Sequence, residues 1–175
     1  MDAARDGTMT IMASGNDNAL TACDGAFRAM SGKIAPCGNA PGAATTIKMI
    51  NQLMVGAQIA LAAEAMTPAA KAGANPHIVY DEVGSGAARS FVWESRAPSM
   101  LNGDFSARGV LDIFIKDLKI VLDSAREVGA YTPLAATALQ IYQIASASGR
   151  GQEQDSAVVS VYEGLANQRV TDAAN

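Results

Sequence analysis

The feature that most constrains the fold is a long apolar run, IKMINQLMVGAQIALAAEAM, between residues 47 and 66. It contains no proline, and its few polar residues include Lys48, Asn51 and Gln52. Such a run predicts one long helix from about residue 42 to Lys71, ended by Ala72-Gly73. Because apolar side chains occur nearly all round this helix, we expect it to be buried and Lys48 to face protein or a cleft.

The segments on either side of residue 42 differ in character. Residues 1–41 predict a strand at 7–15, a helix at 17–30 and a strand at 33–37, a β-α-β unit too small to be stable alone. From residue 42 onward the apolar period predicts only helices, near residues 76–83, 91–101, 108–128, 133–148 and 155–165. Asp155 is the expected N-cap of the last helix. The fold class is therefore mainly α, with a boundary between residues 41 and 42.

The composition argues against several classes of protein. The net charge is −4 and no basic stripe occurs, which argues against nucleic-acid binding. The apolar run has too many polar groups for a membrane span, and the start of the chain has no signal-peptide pattern. Cys23 and Cys37 lack metal or redox spacing and are interpreted as buried thiols of a reducing compartment. We therefore expect a soluble, cytoplasmic protein without a membrane or nucleic-acid partner.

Lys48 and Asn51 are the first candidates for catalysis. They are three residues apart and share one helix face, with Gln52 alongside. Burial and the positive end of the helix both disfavour an ammonium, so this amine could accept and return a proton while an amide orients a substrate hydroxyl. In the alternative, the lysine head reaches the surface while Asn51 and Gln52 bond a loop. Spacing alone leaves both interpretations open.

The second candidate is the tetrapeptide IKDL at residues 115–118. Lys116 shares a helical stripe with Asp112 and Lys119, and this alternation of charge is more typical of a solvated face than of a site. His77 lies at the start of a helix beside a proline, where a capping or surface role is the simpler interpretation. No spacing of His, Cys or acidic residues predicts a metal site.

Several motifs follow one another along the chain: GTMTIMASG, PGAATTIKMINQ, AAEAM, VLDIFIKDLKIVLDSAREVG and GRGQEQDSAV. In this order they resemble the β-hydroxyacid dehydrogenases, the family of 3-hydroxyisobutyrate dehydrogenase and tartronate semialdehyde reductase. EAMTPAAKAG and FVWESRAPSMLNGDF are most similar to the L-threonate dehydrogenase branch. The resemblance implies an all-α, 6-phosphogluconate-dehydrogenase-like C-terminal domain at residues 42–175. It also implies that residues 1–41 are the β-α-β remnant of a Rossmann domain.

The resemblance also implies a reaction, the transfer of a hydride between NAD or NADP and a small hydroxy acid such as threonate. By this resemblance, Lys48 is the general acid/base acting on the substrate hydroxyl, and Asn51 binds the substrate. Lys116 matches the family lysine that contacts the nicotinamide end of the cofactor, with Asp117 as its support. Members of such a family are expected to form homodimers or higher homo-oligomers.

Two elements of the family pattern do not precede GTMTIMASG in this sequence. They are the glycine fingerprint that binds the cofactor pyrophosphate and the Ser-Gly-Gly loop that binds substrate. We therefore expect this chain to be the C-terminal part of a dehydrogenase, inactive alone and unable to bind NAD(P) tightly. The alternative is a non-catalytic all-α oligomerisation module, which the long apolar helix equally allows.

Overall fold

The computed structural model describes residues 2–106 and 109–174 and is mostly helical, at 69%, with one two-stranded parallel sheet. The mainly α fold predicted from the sequence is therefore confirmed. The chain divides into two compact units, Met1–Asn51 and Gln52–Asn175. The domain boundary predicted between residues 41 and 42 stays a prediction.

The first unit contains a β-α-β arrangement. Its elements are α1 (Asp2–Arg5), β1 (Met9–Ala13), α2 (Asp17–Met30) and β2 (Ser31–Pro36). Strands β1 and β2 pair in parallel, and Asn16 caps α2 by accepting a backbone N–H of its first turn. Cys23 is exposed on α2 rather than buried as predicted, because no residue of α2 is buried; Cys37 is half-buried.

The rest of the described chain is built of helices. They are α3 (Ala43–Lys71), α4 (Pro76–Ser85), α5 (Phe91–Asn102), α6 (Asp112–Glu127), α7 (Pro133–Ala145) and α8 (Val159–Ala166), with a π-helical turn at Ser146–Arg150 and 3-10 turns at Asp155–Val158 and Thr171–Ala174. Each helix lies within a few residues of its predicted position. The predicted N-cap is wrong, because Asp155 begins a 3-10 turn and its carboxylate contacts Arg96 instead.

Helix α3 is buried along one side only. Its buried residues lie between Gly56 and Ala70, whereas Ile50, Met54 and Leu61 are 48%, 51% and 63% exposed. The prediction of burial all round is therefore wrong, because apolar composition favours burial but only a covering element provides it. The prediction that this run has too many polar groups for a membrane span is wrong, because α3 is long and apolar enough to cross a membrane by length and composition; 44% of its most apolar window is buried inside the structure.

Three helices of the second unit meet at Gly56. Tyr142 is fully buried on α7, and its hydroxyl donates to the Gly56 carbonyl over 3.0 Å. Phe114 of α6 stacks on Tyr142 with ring centroids 5.3 Å apart. A Cβ at Gly56 would lie 2.9 Å from Phe114 Cδ1 and 3.3 Å from Leu118 Cδ2. The absence of a side chain at Gly56 is therefore what lets α3 and α6 approach this closely.

We expect Gly56→Leu to lower the free energy of unfolding by about 2 kcal/mol, because the new side chain overpacks a core already in contact. The matched control is Gly164→Leu, since nothing lies within 4 Å of a Cβ at that helical glycine. That control should be neutral or slightly stabilising through helix propensity. Urea denaturation followed by circular dichroism measures both, and equal stability of the two variants would contradict the close approach at Gly56.

Helices α5 and α6 each bury one side. Trp93 is buried, and its indole N–H donates to the Tyr80 carbonyl over 3.0 Å. On α6 the buried residues are Phe114, Leu118, Val121 and Ala125. Ile113, which precedes Phe114, is 41% exposed because it lies at the edge of the buried stripe. This orientation places the opposite face of α6, with Lys116 and Lys119, in solvent.

Candidate functional site

Lys48 lies in the second turn of α3 and is exposed, as is Asn51 one turn later. The expectation that Lys48 is buried is therefore wrong. Its apolar neighbours Ile47 and Ile50 are 44% and 48% exposed, and burial along α3 begins only at Gly56. The helical spacing still places Lys48 and Asn51 on one face of α3, as predicted.

The first turn of α3 follows a sharp change of chain direction. Gly42 adopts φ 94°, a left-handed conformation that favours glycine. The backbone N–H of Ala44 donates to the Ser14 hydroxyl over 3.0 Å, and this contact satisfies one of the N–H groups that a helix start leaves without a partner. The start of α3 is thus anchored about one turn before Lys48.

Asp117 connects the IKDL segment of α6 to α3. Its Oδ2 accepts a hydrogen bond from Gln52 Nε2 at 2.6 Å, and its Oδ1 lies 2.9 Å from Lys116 Nζ. The Asp117 side chain is only 12% exposed, whereas that of Lys116 is 69% exposed. Asp117 therefore holds the Lys116 ammonium at the surface with Oδ1, while its Oδ2 is bound to Gln52.

Backbone hydrogen bonds attach the chain before α6 to the segment at residues 151–155. These bonds run from Gln154 N–H to Phe105 O (2.9 Å), Asp155 N–H to Gly109 O (3.1 Å), Leu111 N–H to Glu153 O (2.9 Å) and Asp112 N–H to Gly151 O (3.1 Å). An isolated antiparallel bridge joins Val110 and Gln154 at the same place. Together they determine where α6 begins, one turn before Lys116.

Arg96 of α5 forms a largely buried ion pair with Asp155, the last residue of this segment. Arg96 Nε lies 2.8 Å from Asp155 Oδ1, and Nη2 lies 3.3 Å from Oδ2, which is a bidentate arrangement. The side chains are 27% and 4% exposed, respectively. Burial raises the pKa of the Asp155 carboxyl, and the Arg96 guanidinium counters part of that rise. The pair therefore joins α5 to the segment that holds the start of α6.

Gly151 is needed where this segment meets α6. A Cβ at Gly151 would lie 2.6 Å from Asp112 Oδ1, closer than side-chain atoms normally approach. The glycine in the GRGQEQDSAV motif therefore has a packing role, because its backbone carbonyl accepts the Asp112 N–H at close range.

Sequence reasoning missed the two long-range partnerships of this region. The sequence predicts Gln52 only as a neighbour of Asn51, although a glutamine next to the candidate residues in an apolar helix is a signal of a polar partner. The sequence predicts no role for Arg96, although a charged residue close to the apolar residues Trp93 and Ala97 of α5 is a signal of a buried partner. His77 is exposed at the start of α4, and within residues 2–106 and 109–174 no group of three or more His, Cys, Asp or Glu could hold a metal ion.

Residues 42–162 match a family model described as the NAD-binding domain of NADP-dependent 3-hydroxyisobutyrate dehydrogenase. The L-threonate dehydrogenase of Escherichia coli K12 is 41% identical over 162 residues, 93% of this chain and 54% of its own length. The 2-(hydroxymethyl)glutarate dehydrogenase of Eubacterium barkeri is 30% identical over 161 residues, 91% of this chain and 53% of its own. The chain thus spans about half the length of the curated relatives it matches.

Solved structures agree with these relatives. A 3-hydroxyisobutyrate dehydrogenase from Salmonella typhimurium has a TM-score of 0.84 and 41% sequence identity, over 90% of this chain and 55% of its own. The 3-hydroxyisobutyrate dehydrogenase of Mycobacterium tuberculosis, solved with L-serine, has a TM-score of 0.83 and 26% identity, over 91% of this chain and 56% of its own. The similarity therefore extends from the sequence to the backbone.

Proposed function

Because the chain belongs to the NADP-dependent 3-hydroxyisobutyrate dehydrogenase family, we propose that it is the C-terminal part of an NAD(P)-dependent 3-hydroxy-acid dehydrogenase. The observation that carries this proposal is the contact between Gln52, Asp117 and Lys116. Through Asp117 it joins the proposed cofactor-binding lysine to Gln52 of α3.

Lys48 is proposed as the general acid/base. An amine in the second turn of α3 can take the proton of a substrate hydroxyl during oxidation and return it during reduction. Asn51, one turn further along the same face, can donate to the substrate or accept from it through its amide, which is the requirement for placing that hydroxyl. Both side chains are exposed in this chain, so a ligand can reach them.

Lys116 and Asp117 are proposed to bind the cofactor, which is NAD or NADP. When bound, the cofactor supplies the hydride chemistry that protein side chains lack. The donor set fits such a group, because an exposed ammonium can meet an electronegative ligand while a nearly buried carboxylate fixes its position. The family description of residues 42–162 as NAD-binding supports the cofactor class.

The domain organisation is proposed from the same family. Residues 42–175 are assigned to an all-α, 6-phosphogluconate-dehydrogenase-like domain, and residues 1–41 to the end of a Rossmann domain. The parallel pairing of β1 and β2 around α2 supports the second assignment, because a right-handed β-α-β crossover is the repeating unit of that fold.

We propose a small hydroxy acid such as threonate as the substrate. We also propose that the protein acts in the cytoplasm, without a nucleic-acid or membrane partner.

A homodimer or higher homo-oligomer is also proposed, through the exposed side of α3. Leu61 of α3 and Leu134 of α7, 63% and 75% exposed, line an apolar groove of about 250 Å³ with Met54. We expect Leu61→Glu to shift this chain toward monomer in sedimentation experiments, because a carboxylate is disfavoured in an apolar interface. The control Ile78→Glu changes a similarly exposed residue on α4, 61% exposed. A monomeric parent chain, or equal dissociation of both variants, would contradict this interface.

The function is tested by comparing this chain alone with a fusion that supplies the other half. The fusion joins the N-terminal half of the Escherichia coli L-threonate dehydrogenase to this chain. We expect the fusion to reduce NAD or NADP with threonate, glycerate or 3-hydroxyisobutyrate, while the chain alone shows no turnover and binds NADH more weakly than micromolar. A folded, NADH-binding fusion without turnover would instead favour the oligomerisation module. Micromolar NADH binding by the chain alone would contradict the dependence on a second half.

A further inference from the structure

A separate cavity of about 430 Å³ lies between the end of α5 and the C-terminal segment. Its volume is in the range of small-molecule sites. The residues that matter for its chemistry are Phe105, Arg150, Glu153, Glu163, Arg169 and Thr171. Gln52, Lys116 and Asp117 do not line it, so the cavity is not explained by the contact between α3 and α6.

Two guanidinium groups contribute to the lining of this cavity. Arg150 is held from two sides, since its Nη1 lies 2.7 Å from Glu153 Oε2 and its Cζ lies 6.0 Å from the Phe105 ring centroid. A side chain held in this way loses little conformational entropy when its remaining N–H groups meet a ligand. Arg169 has no carboxylate within 4.0 Å among the residues that the structure describes. The cavity therefore has one preorganised guanidinium, that of Arg150, and a second, that of Arg169, which forms no ion pair within 4.0 Å with the residues that the structure describes.

Two carboxylates in the same lining can accept hydrogen bonds. Glu163 Oε1 accepts the backbone N–H of Val170 over 2.8 Å, which orders the side chain. Glu153 uses Oε2 for Arg150. Each carboxylate has a second oxygen, and an ionised carboxylate only accepts, so the matching ligand group is a hydrogen-bond donor such as a hydroxyl. A ligand that matches this lining combines a negatively charged group with at least one hydrogen-bond donor, and a hydroxyl is such a donor.

We propose that this cavity binds a small hydroxylated anion. Its carboxylate or phosphate group contacts Arg169 and Arg150, and its hydroxyl donates to Glu163 or Glu153. The planar fork of a guanidinium binds both kinds of oxyanion through parallel, charge-assisted hydrogen bonds. This inference is independent of the dehydrogenase proposal, because it concerns binding to this chain alone.

The test is an NMR titration of the ¹⁵N-labelled chain with glycerate and, separately, with glycerol 3-phosphate. We expect saturable shifts at the backbone amides of Gly103, Arg169 and Thr171, with a Kd of about 1 mM or tighter for at least one ligand. The ligand that binds more tightly identifies the charged group as carboxylate or phosphate. Propionate, which has the charge without a hydroxyl, should bind more weakly than glycerate.

The matched variants are Arg169→Gln and Arg126→Gln, which remove exposed arginines inside and outside the cavity lining. Arg169→Gln should weaken binding by about tenfold or more, because charge-assisted hydrogen bonds are lost, and Arg126→Gln should leave it unchanged. Arg150→Lys keeps the charge but removes the fork, and should also weaken binding. Shifts that do not saturate, or equal affinities in Arg169→Gln and Arg126→Gln, would overturn the proposal. Equal binding of propionate and glycerate would overturn the role of the hydroxyl.

Discussion

Lys48→Ala is expected to lower kcat of the fused dehydrogenase by about 10²–10⁴-fold, because the variant loses the group that exchanges the hydroxyl proton. KM for the hydroxy acid should change much less, since Asn51 is retained. The expected result is therefore a loss of transition-state stabilisation rather than of substrate binding. Steady-state kinetics of the fusion with threonate and saturating cofactor measure both constants.

The matched control is Lys119→Ala, which removes an exposed lysine of α6 that has no proposed role. It should leave both constants unchanged. Lys116→Ala should instead raise KM for NAD or NADP, because that lysine is proposed to bind cofactor. Turnover of Lys48→Ala within a few-fold of the parent would remove Lys48 from the mechanism, and the surface interpretation of this lysine would then stand.

Arg96→Ala is expected to lower the free energy of unfolding of this chain by about 3 kcal/mol, because it leaves the Asp155 carboxylate buried without its counter-charge. We place the value at the low end for a broken buried pair, since Arg96 itself is 27% exposed. The matched control Arg126→Ala breaks an ion pair with Asp123 in which both side chains are more than two-thirds exposed. This control should lower the free energy of unfolding by about 0.5 kcal/mol or less.

The loss of unfolding free energy in Arg96→Ala should become smaller as the pH is lowered. Folding raises the pKa of Asp155 above its usual 3.8 through burial, so its contribution to stability is fully present below pH 3.8 and is lost as the pH rises through the folded pKa. Removing Arg96 removes the charge that counters this rise in pKa. Protonation of Asp155 therefore increases the folding stability of the variant more than that of the parent. Urea denaturation at several pH values measures the difference. A loss of unfolding free energy that is the same at pH 4 and pH 7 would contradict a buried, unpaired carboxylate.

The predictions for Lys48→Ala and Arg96→Ala distinguish a catalytic role from a structural role. Lys48 is exposed and lies outside the packed part of α3, so its removal should affect turnover without affecting folding. Arg96 holds Asp155, whose backbone N–H bonds to the chain before α6, so its removal should first affect folding. The position of Lys116 and Asp117 on α6 depends on that support, which connects the stability of this region to the proposed cofactor contact.

The sequence by itself determined the local structure. Helix α2 ends at Met30 and α3 at Lys71 as predicted, because helix ends follow from short-range rules such as the left-handed glycine at Gly73 with φ 80°. The buried stripe of α6 also follows from the 3.6-residue period, which orients side chains without reference to the rest of the fold. The ordered motifs were sufficient to identify the family.

Only the tertiary structure decided which side of α3 is covered and which polar groups meet. Lys48 is exposed although its surroundings in sequence are apolar, since burial depends on whether another element packs there. Gln52 meets Asp117 across 65 residues of chain, and Asp155 meets Arg96 across 59. Such partners are chosen by the packing of whole helices, and no local periodicity encodes them.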